Sequence, residues 1–373
     1  MTRVRRMDLF DGLPDPLSSG VDVPVFQDGS AKVISSGNAI HVTGETSAEP
    51  AVARKRSLQP EEAKSEVASG VDNHTAKKFR CGAQGSAMKG YVMEIQGERD
   101  DMEDFHCLVD TIDDSRISAH PDICSAAFYA VFDGHAGRRA SRFASENFLN
   151  YFLSSFAARV GNADLDASIT SCLTKCYKAM DEAFLSKASA HRPPLKDGTT
   201  ATTILIVNNK AYVANVGDSK AVLCRYDKNT NSHKAVPLTV DHSPDKYEER
   251  IRIQQQGGRV KEGRINGILE VSRSLGDLPH KKGTGLICTP SIQKCPITED
   301  DKFMVIACDG LWKSLTPAEA IDLVVEFIKD CDEAEVDTRF NAACSKLVKE
   351  AVTRLSGDNV TVLLVRICPP PSR

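Results

Sequence analysis

From Tyr91 to Cys368 short apolar runs alternate with amphipathic stretches, and the first 87 residues show neither pattern. Apolar runs of strand length occupy 126–132 (Ala-Ala-Phe-Tyr-Ala-Val-Phe), 200–207, 211–216, 220–225, 303–308 and 360–367. Such runs, rich in β-branched and aromatic side chains, fit strands covered on both faces. Asn208-Asn209 between two of them fits a hairpin turn. Apolar residues recur at helical spacing over 138–157, 165–188, 245–256, 316–329 and 337–354. Thr316-Pro317-Ala318-Glu319 has the signature of a helix start, with Thr as cap, Pro in the first position and Glu three residues after the cap. Strands joined by hairpins make antiparallel sheets, and separate amphipathic helices would cover them. The expected fold is therefore α+β and layered, not doubly wound.

Composition divides the chain. Gly, Ser, Pro, Asp, Glu and Lys dominate residues 1–87, which cannot bury enough apolar surface to offset their ordering entropy. The expected organisation is a disordered tail over 1–87, one globular domain over 88–368 and a short tail over 369–373. Two islands interrupt the first tail: an acidic-hydrophobic segment from Met7 to Pro14, and the basic residues Arg54-Lys55-Arg56, Lys77, Lys78 and Arg80. They read either as a docking motif and a nuclear import signal or as a leftover tail and a solvated charge run.

A net charge of -4 gives no reason to expect binding to nucleic acid or to a membrane surface. No apolar run is long enough to span a bilayer, and the basic start lacks the apolar segment of a secretory signal. The twelve cysteines are scattered without a Cys-x-x-Cys pair, which fits reduced thiols in the cytoplasm or nucleus. Cys172 and Cys176 have the spacing of two ligands on a helix face. They also fall on one apolar stripe with Leu165, Ile169, Leu173, Met180 and Phe184, and core packing is the stronger reading.

The candidate chemistry lies where strands end in carboxylates. The run ending at Phe132 leads into Asp133-Gly134-His135, and the run ending at Cys308 leads into Asp309-Gly310. Gly357-Asp358-Asn359 precedes the last run. If that last strand is antiparallel to the others, the three carboxylates emerge at one edge. Asp100-Asp101-Met102-Glu103-Asp104, before the Phe105–Leu108 run, can join them. Carboxylates sharing a site repel one another unless cations intervene, and oxygen ligands favour Mg²⁺ or Mn²⁺. Two such ions about 3.5–4 Å apart would activate a water and neutralise a phosphoryl group. A single Asp-Gly pair reads first as a turn; the combination carries the metal reading. His135 is a candidate proton donor or an ordinary turn histidine, and Arg99 a phosphate ligand or an ion-pair partner.

Several blocks occur in order along 88–368: Glu98-Arg99-Asp-Asp-Met-Glu103-Asp104-Phe-His106, Phe132-Asp133-Gly134-His135-Ala-Gly137, Asp197-Gly198-Thr-Thr-Ala-Thr and Asn215-Val-Gly217-Asp218-Ser219. They continue with Gly267-Ile-Leu-Glu-Val-Ser-Arg273-Ser-Leu-Gly276-Asp277, Ala307-Cys-Asp309-Gly310-Leu-Trp and Asp358-Asn359-Val-Thr-Val. Together they resemble the signature of the type-2C (PPM) metal-dependent protein serine/threonine phosphatases. The resemblance implies a four-layer α-β-β-α sandwich, with two antiparallel sheets flanked by helices and the ions at the sheet edge. It implies Asp133 bridging two Mg²⁺ or Mn²⁺ ions, the Gly134 carbonyl on one, and Asp309 and Asp358 on the other. Glu103 would act directly or through water, with Asp104 in support. Arg99 would bind phosphate and His135 donate the proton, with water attacking directly and no phosphoenzyme forming.

One departure concerns a third, weaker ion, which the family holds with the position matched by Asp218 and with an Asp four residues after Asp309. Here that residue is Lys313, whose ammonium would repel a cation or take its place unless it points to solvent. The segment 239–262 resembles the family's flap beside the active site. The opening from Met7 and the stretch from Tyr247 resemble a subfamily associated with integrin-linked kinase, so a kinase partner is implied alongside phosphoprotein substrates. The default state is a monomer. Two other functions fit the residues: a two-metal phosphoesterase for small molecules or nucleic acids, and a phosphatase-fold scaffold without catalysis.

Overall fold

In the computed structural model, which describes residues 87–158 and 164–368, the uniformly apolar runs are strands with two covered faces. Along Ala126–Phe132 the side chains of Phe128, Ala130 and Phe132 join one core cluster, and those of Ala127, Tyr129 and Val131 join another. Asp301–Ala307 divides likewise, Phe303 and Val305 to one side and Met304 and Ile306 to the other. A period of two with both phases apolar is what a strand between a helix layer and a second sheet requires.

Two five-stranded sheets result, with every neighbouring pair antiparallel. The first is ordered Ala87–Ile95, Val360–Cys368, Asp301–Ala307, Lys220–Asp227, Ser232–Pro237. The second is ordered Ser291–Pro296, Lys210–Val216, Ala201–Val207, Ala126–Phe132, Phe105–Val109. Helices Arg139–Ala157 and Leu165–Ala190 cover the second sheet, while Pro317–Ile328 and Val336–Thr353 cover the first. The α+β sandwich of four layers expected from the sequence is the observed fold.

The Phe148 ring meets Phe128 at 5.7 Å, Phe132 at 6.1 Å and Tyr177 at 5.0 Å between centroids. Cys172 and Cys176 are free thiols buried in the same cluster, so their spacing serves the core. Ten described cysteines are free, but Cys124 is disulfide-bonded, so the expectation of reduced thiols fails at this exposed loop residue. Thr316 caps its helix as its sequence implies: Glu319 N donates to Thr316 Oγ1 at 3.3 Å, and Thr316 N donates to Glu319 Oε2 at 2.8 Å. Asn208 takes the positive φ of 54° that its hairpin needs, and its Oδ1 accepts from Cys124 N at 2.8 Å. The tail expected over 1–87, its docking and basic segments, and the C-terminal tail at 369–373 lie outside the described residues, apart from Ala87, which opens the first strand. Among the described residues no helix is long and apolar enough to cross a membrane.

Candidate active site

Segments remote in sequence end at one edge of the two sheets. Strand Ala126–Phe132 leads into Asp133 and strand Asp301–Ala307 into Asp309. Val360–Cys368 runs antiparallel to the latter, so Asp358, two residues ahead of it, returns to the same end. Asp218 lies in the connection that carries the chain from Lys210–Val216 in the second sheet to Lys220–Asp227 in the first. Asp104 directly precedes Phe105–Val109, whose Phe105 is registered against Phe132.

The result is a shared carboxylate. One oxygen from each of Asp133, Asp218 and Asp309 lies within 4.8 Å of the others, and Asp104, Asp133 and the Cys308 thiol form a second such group. Burial, then repulsion from Asp104, Asp309, Asp218 and Asp358, drives the Asp133 carboxyl well above the usual range. Burial pushes Asp104 up to about 7, and repulsion from Asp358 and Asp309 adds to the rise. Burial and then Asp309 push Asp218 to about 7, with Lys313 opposing. Burial raises Asp309 too, and Lys313 is its main counter-charge.

This arrangement fits divalent cations. Asp104 Oδ2 is buried without a hydrogen-bond partner. A lone carboxylate oxygen facing other carboxylates is costly, and a cation removes both the repulsion and the missing contact. The donors are oxygens apart from one thiol, which suits a hard ion better than a soft one.

The other sequence candidates surround these carboxylates. Arg99, Asp133, Gly134, His135, Asp309 and Asp358 all line one cleft of about 710 Å³. Arg99 is half-exposed and donates to Asp358 Oδ2 at 2.8 Å, so both the ion-pair reading and a place in the cleft are realised. His135 Nε2 is 2.9 Å from each oxygen of Asp277. Burial opposes the charged imidazole, but Asp277 outweighs it and raises the His135 pKa. Gly134 packs where a Cβ would stand 2.2 Å from the Glu103 carbonyl oxygen and 2.6 Å from Ser141 Oγ, so only glycine fits. The Glu103 carboxylate stands outside both carboxylate groups and accepts from Gly137 N at 2.6 Å.

Lys313 is half-exposed, and its Nζ lies 2.5 Å from Asp309 Oδ2 and 3.7 Å from Glu270 Oε2. Its ammonium is thus both open to solvent and paired to a metal-ligand candidate. Asp277 and Glu270 lie within the stretch Gly267–Asp277, where nothing in the sequence alone gave them a role. The signal available was Gly276-Asp277, where both residues take positive φ, 83° and 56°.

The protein phosphatase 2C family model matches residues 88–360. The chain belongs to this family. Integrin-linked kinase-associated serine/threonine phosphatase 2C of Bos taurus is 39% identical over 374 residues, covering 97% of this chain and 100% of the relative. The Homo sapiens protein of that name is 42% identical over 286 residues, 75% of this chain and 72% of the relative. The crystal structure of a serine-threonine phosphatase 2C from Toxoplasma gondii superposes with a TM-score of 0.60 at 21% identity, covering 76% of this chain and 96% of that one, and so shares the fold. As a protein phosphatase 2C the chain is a serine/threonine protein phosphatase, and the family implies Mg²⁺ or Mn²⁺ dependence.

Proposed function

We propose that this phosphatase hydrolyses phosphoserine and phosphothreonine in other proteins by direct attack of water, with two Mg²⁺ or Mn²⁺ ions held around Asp133. The supporting observation is that Asp133 belongs to both close groups of ligand atoms. Asp309 and Asp358 would complete the ligand set on one side, and the Gly134 carbonyl and Glu103, with Asp104 behind it, on the other. When bound, such ions lower the pKa of a water and offset charge on the phosphoryl group. The chain itself supplies orientation: Arg99 would exchange its bond to Asp358 for a bidentate grip on phosphate, and His135 would protonate the departing oxygen. Lys313 beside Asp309 would weaken a third ion near Asp218.

A cysteine nucleophile is disfavoured by burial: Cys308, the thiol nearest the carboxylates, is fully buried and its pKa is driven well above the ordinary value. The domain carrying the activity would be 88–368, acting as a monomer in the cytoplasm or nucleus. The relatives' name points to integrin-linked kinase as the signalling partner. Release of phosphate from a phosphothreonine peptide and from a nucleoside monophosphate, each with Mn²⁺ and with chelator, tests the reading. Peptide hydrolysis that requires Mn²⁺ is expected; equal or faster hydrolysis of the nucleotide would overturn it.

A further inference from the structure

Three two-residue strands form a separate small sheet beside the carboxylates, in the order Leu275–Gly276, Gly198–Thr199, Gly134–His135. Its register sets His135 and Gly276 on either side of Gly198. Asp277 follows at once, in the left-handed conformation, with its N–H donating to the Asp197 carbonyl at 2.9 Å. That bend turns the Asp277 carboxylate back across Gly198 to His135 Nε2. A Cβ at Gly198 would stand 2.2 Å from Asp277 Oδ2 and 2.3 Å from His135 Nε2, so the space for this contact exists because residue 198 has no side chain. Ser274 Oγ donates to Asp277 Oδ2 at 2.6 Å, which fixes the carboxylate from its other side. Both residues line the cleft, but Asp277 is only 2% exposed whereas the His135 side chain is 28% exposed. A buried carboxylate accepting from one ring nitrogen fixes both the tautomer and the ring orientation.

We infer that Asp277 is the positioning residue for His135, holding Nε2–H inward so that the proton delivered to substrate is carried on Nδ1. The inference rests on the proposed role of His135 as proton donor. In the step it serves, the bond from phosphorus to the serine or threonine oxygen breaks with its electron pair on that oxygen. The proton on Nδ1 moves to that oxygen. Water forms the new bond to phosphorus, keeping one proton on the phosphate and releasing the other, and solvent restores the proton on Nδ1. The Nε2 proton stays on the ring, donated to the Asp277 carboxylate throughout, and Asp277 touches neither phosphate nor leaving group.

The need for a proton depends on the leaving group. An alkoxide must be protonated as it departs, whereas dinitrophenolate leaves without help. The test compares wild type, Asp277→Asn and His135→Gln with Mn²⁺ on a phosphothreonine peptide and on 2,4-dinitrophenyl phosphate. Both substitutions are expected to lower the peptide-to-dinitrophenyl ratio of kcat by roughly 10²-fold, the lower end for general acid catalysis, and the double variant should fall no further. Side-chain ¹⁵N spectra of the metal-free protein should show His135 protonated at Nε2 in wild type and altered in Asp277→Asn. An unchanged ratio in Asp277→Asn beside a lowered one in His135→Gln would overturn the positioning role alone. An unchanged ratio in both would overturn the proton-donor role with it, and a proton on Nδ1 of the neutral ring would overturn the assignment of nitrogens.

Discussion

Lys313 is the residue at which this chain departs most from an all-carboxylate site. Its ammonium, about half-exposed, lies 2.5 Å from Asp309 and 3.7 Å from Glu270. A divalent ion approaching Asp309 meets a charge already in place. Lys313→Ala is therefore expected to tighten Mn²⁺ binding by about three- to tenfold, a modest gain because solvent screens the pair. Calorimetric titration of the two proteins checks this, and equal affinities would show that the ammonium moves aside at no cost. The carboxyls make a second prediction at this scale. Asp104 and Asp218 titrate near 7 in the folded, metal-free chain, against an ordinary value of 3.8. Between those values the folded state holds more protons than the unfolded one, so stability falls as pH rises through 7. Metal-free protein should melt at a lower temperature at pH 8 than at pH 5.5, and excess Mn²⁺ should remove or reverse that slope by replacing the protons. A flat metal-free profile would contradict the crowding of these carboxyls.

At the scale of elements, stability rests on helix faces pressed onto sheets. Phe148 joins helix Arg139–Ala157 to two rings of the second sheet and to Tyr177 of the neighbouring helix. Phe148→Ala is expected to cost about 3–5 kcal/mol, and Thr316→Ala, which removes a helix cap, about 1 kcal/mol. Urea unfolding with Mn²⁺ present measures both, and a smaller loss at Phe148 than at Thr316 would contradict the packing described. The same contrast explains what the sequence disclosed. The long helices and six central strands are legible because both faces of each strand are apolar and each helix carries one continuous stripe. The four sheet edges are Ala87–Ile95, Phe105–Val109, Ser232–Pro237 and Ser291–Pro296, of which the pattern marks only the short run Phe105–Leu108. Edge strands carry polar positions, half-buried at Lys89 and Glu94 and exposed at Lys294, and two of them end in proline, so their periodicity is weak.

For the whole molecule, two sheets stacked with a common edge convert carboxylates at positions 104, 133, 218, 309 and 358 into neighbours. The sequence reveals the strand ends and hence Asp133, Asp309 and Asp358. It does not reveal the three-stranded patch that joins His135 to Asp277, because its strands are two residues long and their register depends on glycines rather than on any apolar pattern. Nor does spacing alone show that Glu103 accepts from Gly137 N. If cations neutralise this edge, they bind the folded state in preference to the unfolded one. Saturation to 100 times the dissociation constant should then add about 2.7 kcal/mol of stability, lost again on chelation.

Isothermal titration of Mn²⁺ into chelator-stripped protein, run beside Asp133→Asn, measures the central claim most directly. Two tight ions per wild-type chain are expected, with both weakened together when the shared carboxylate becomes an amide. Two undiminished sites in Asp133→Asn, or no binding to wild type, would contradict an edge built around Asp133.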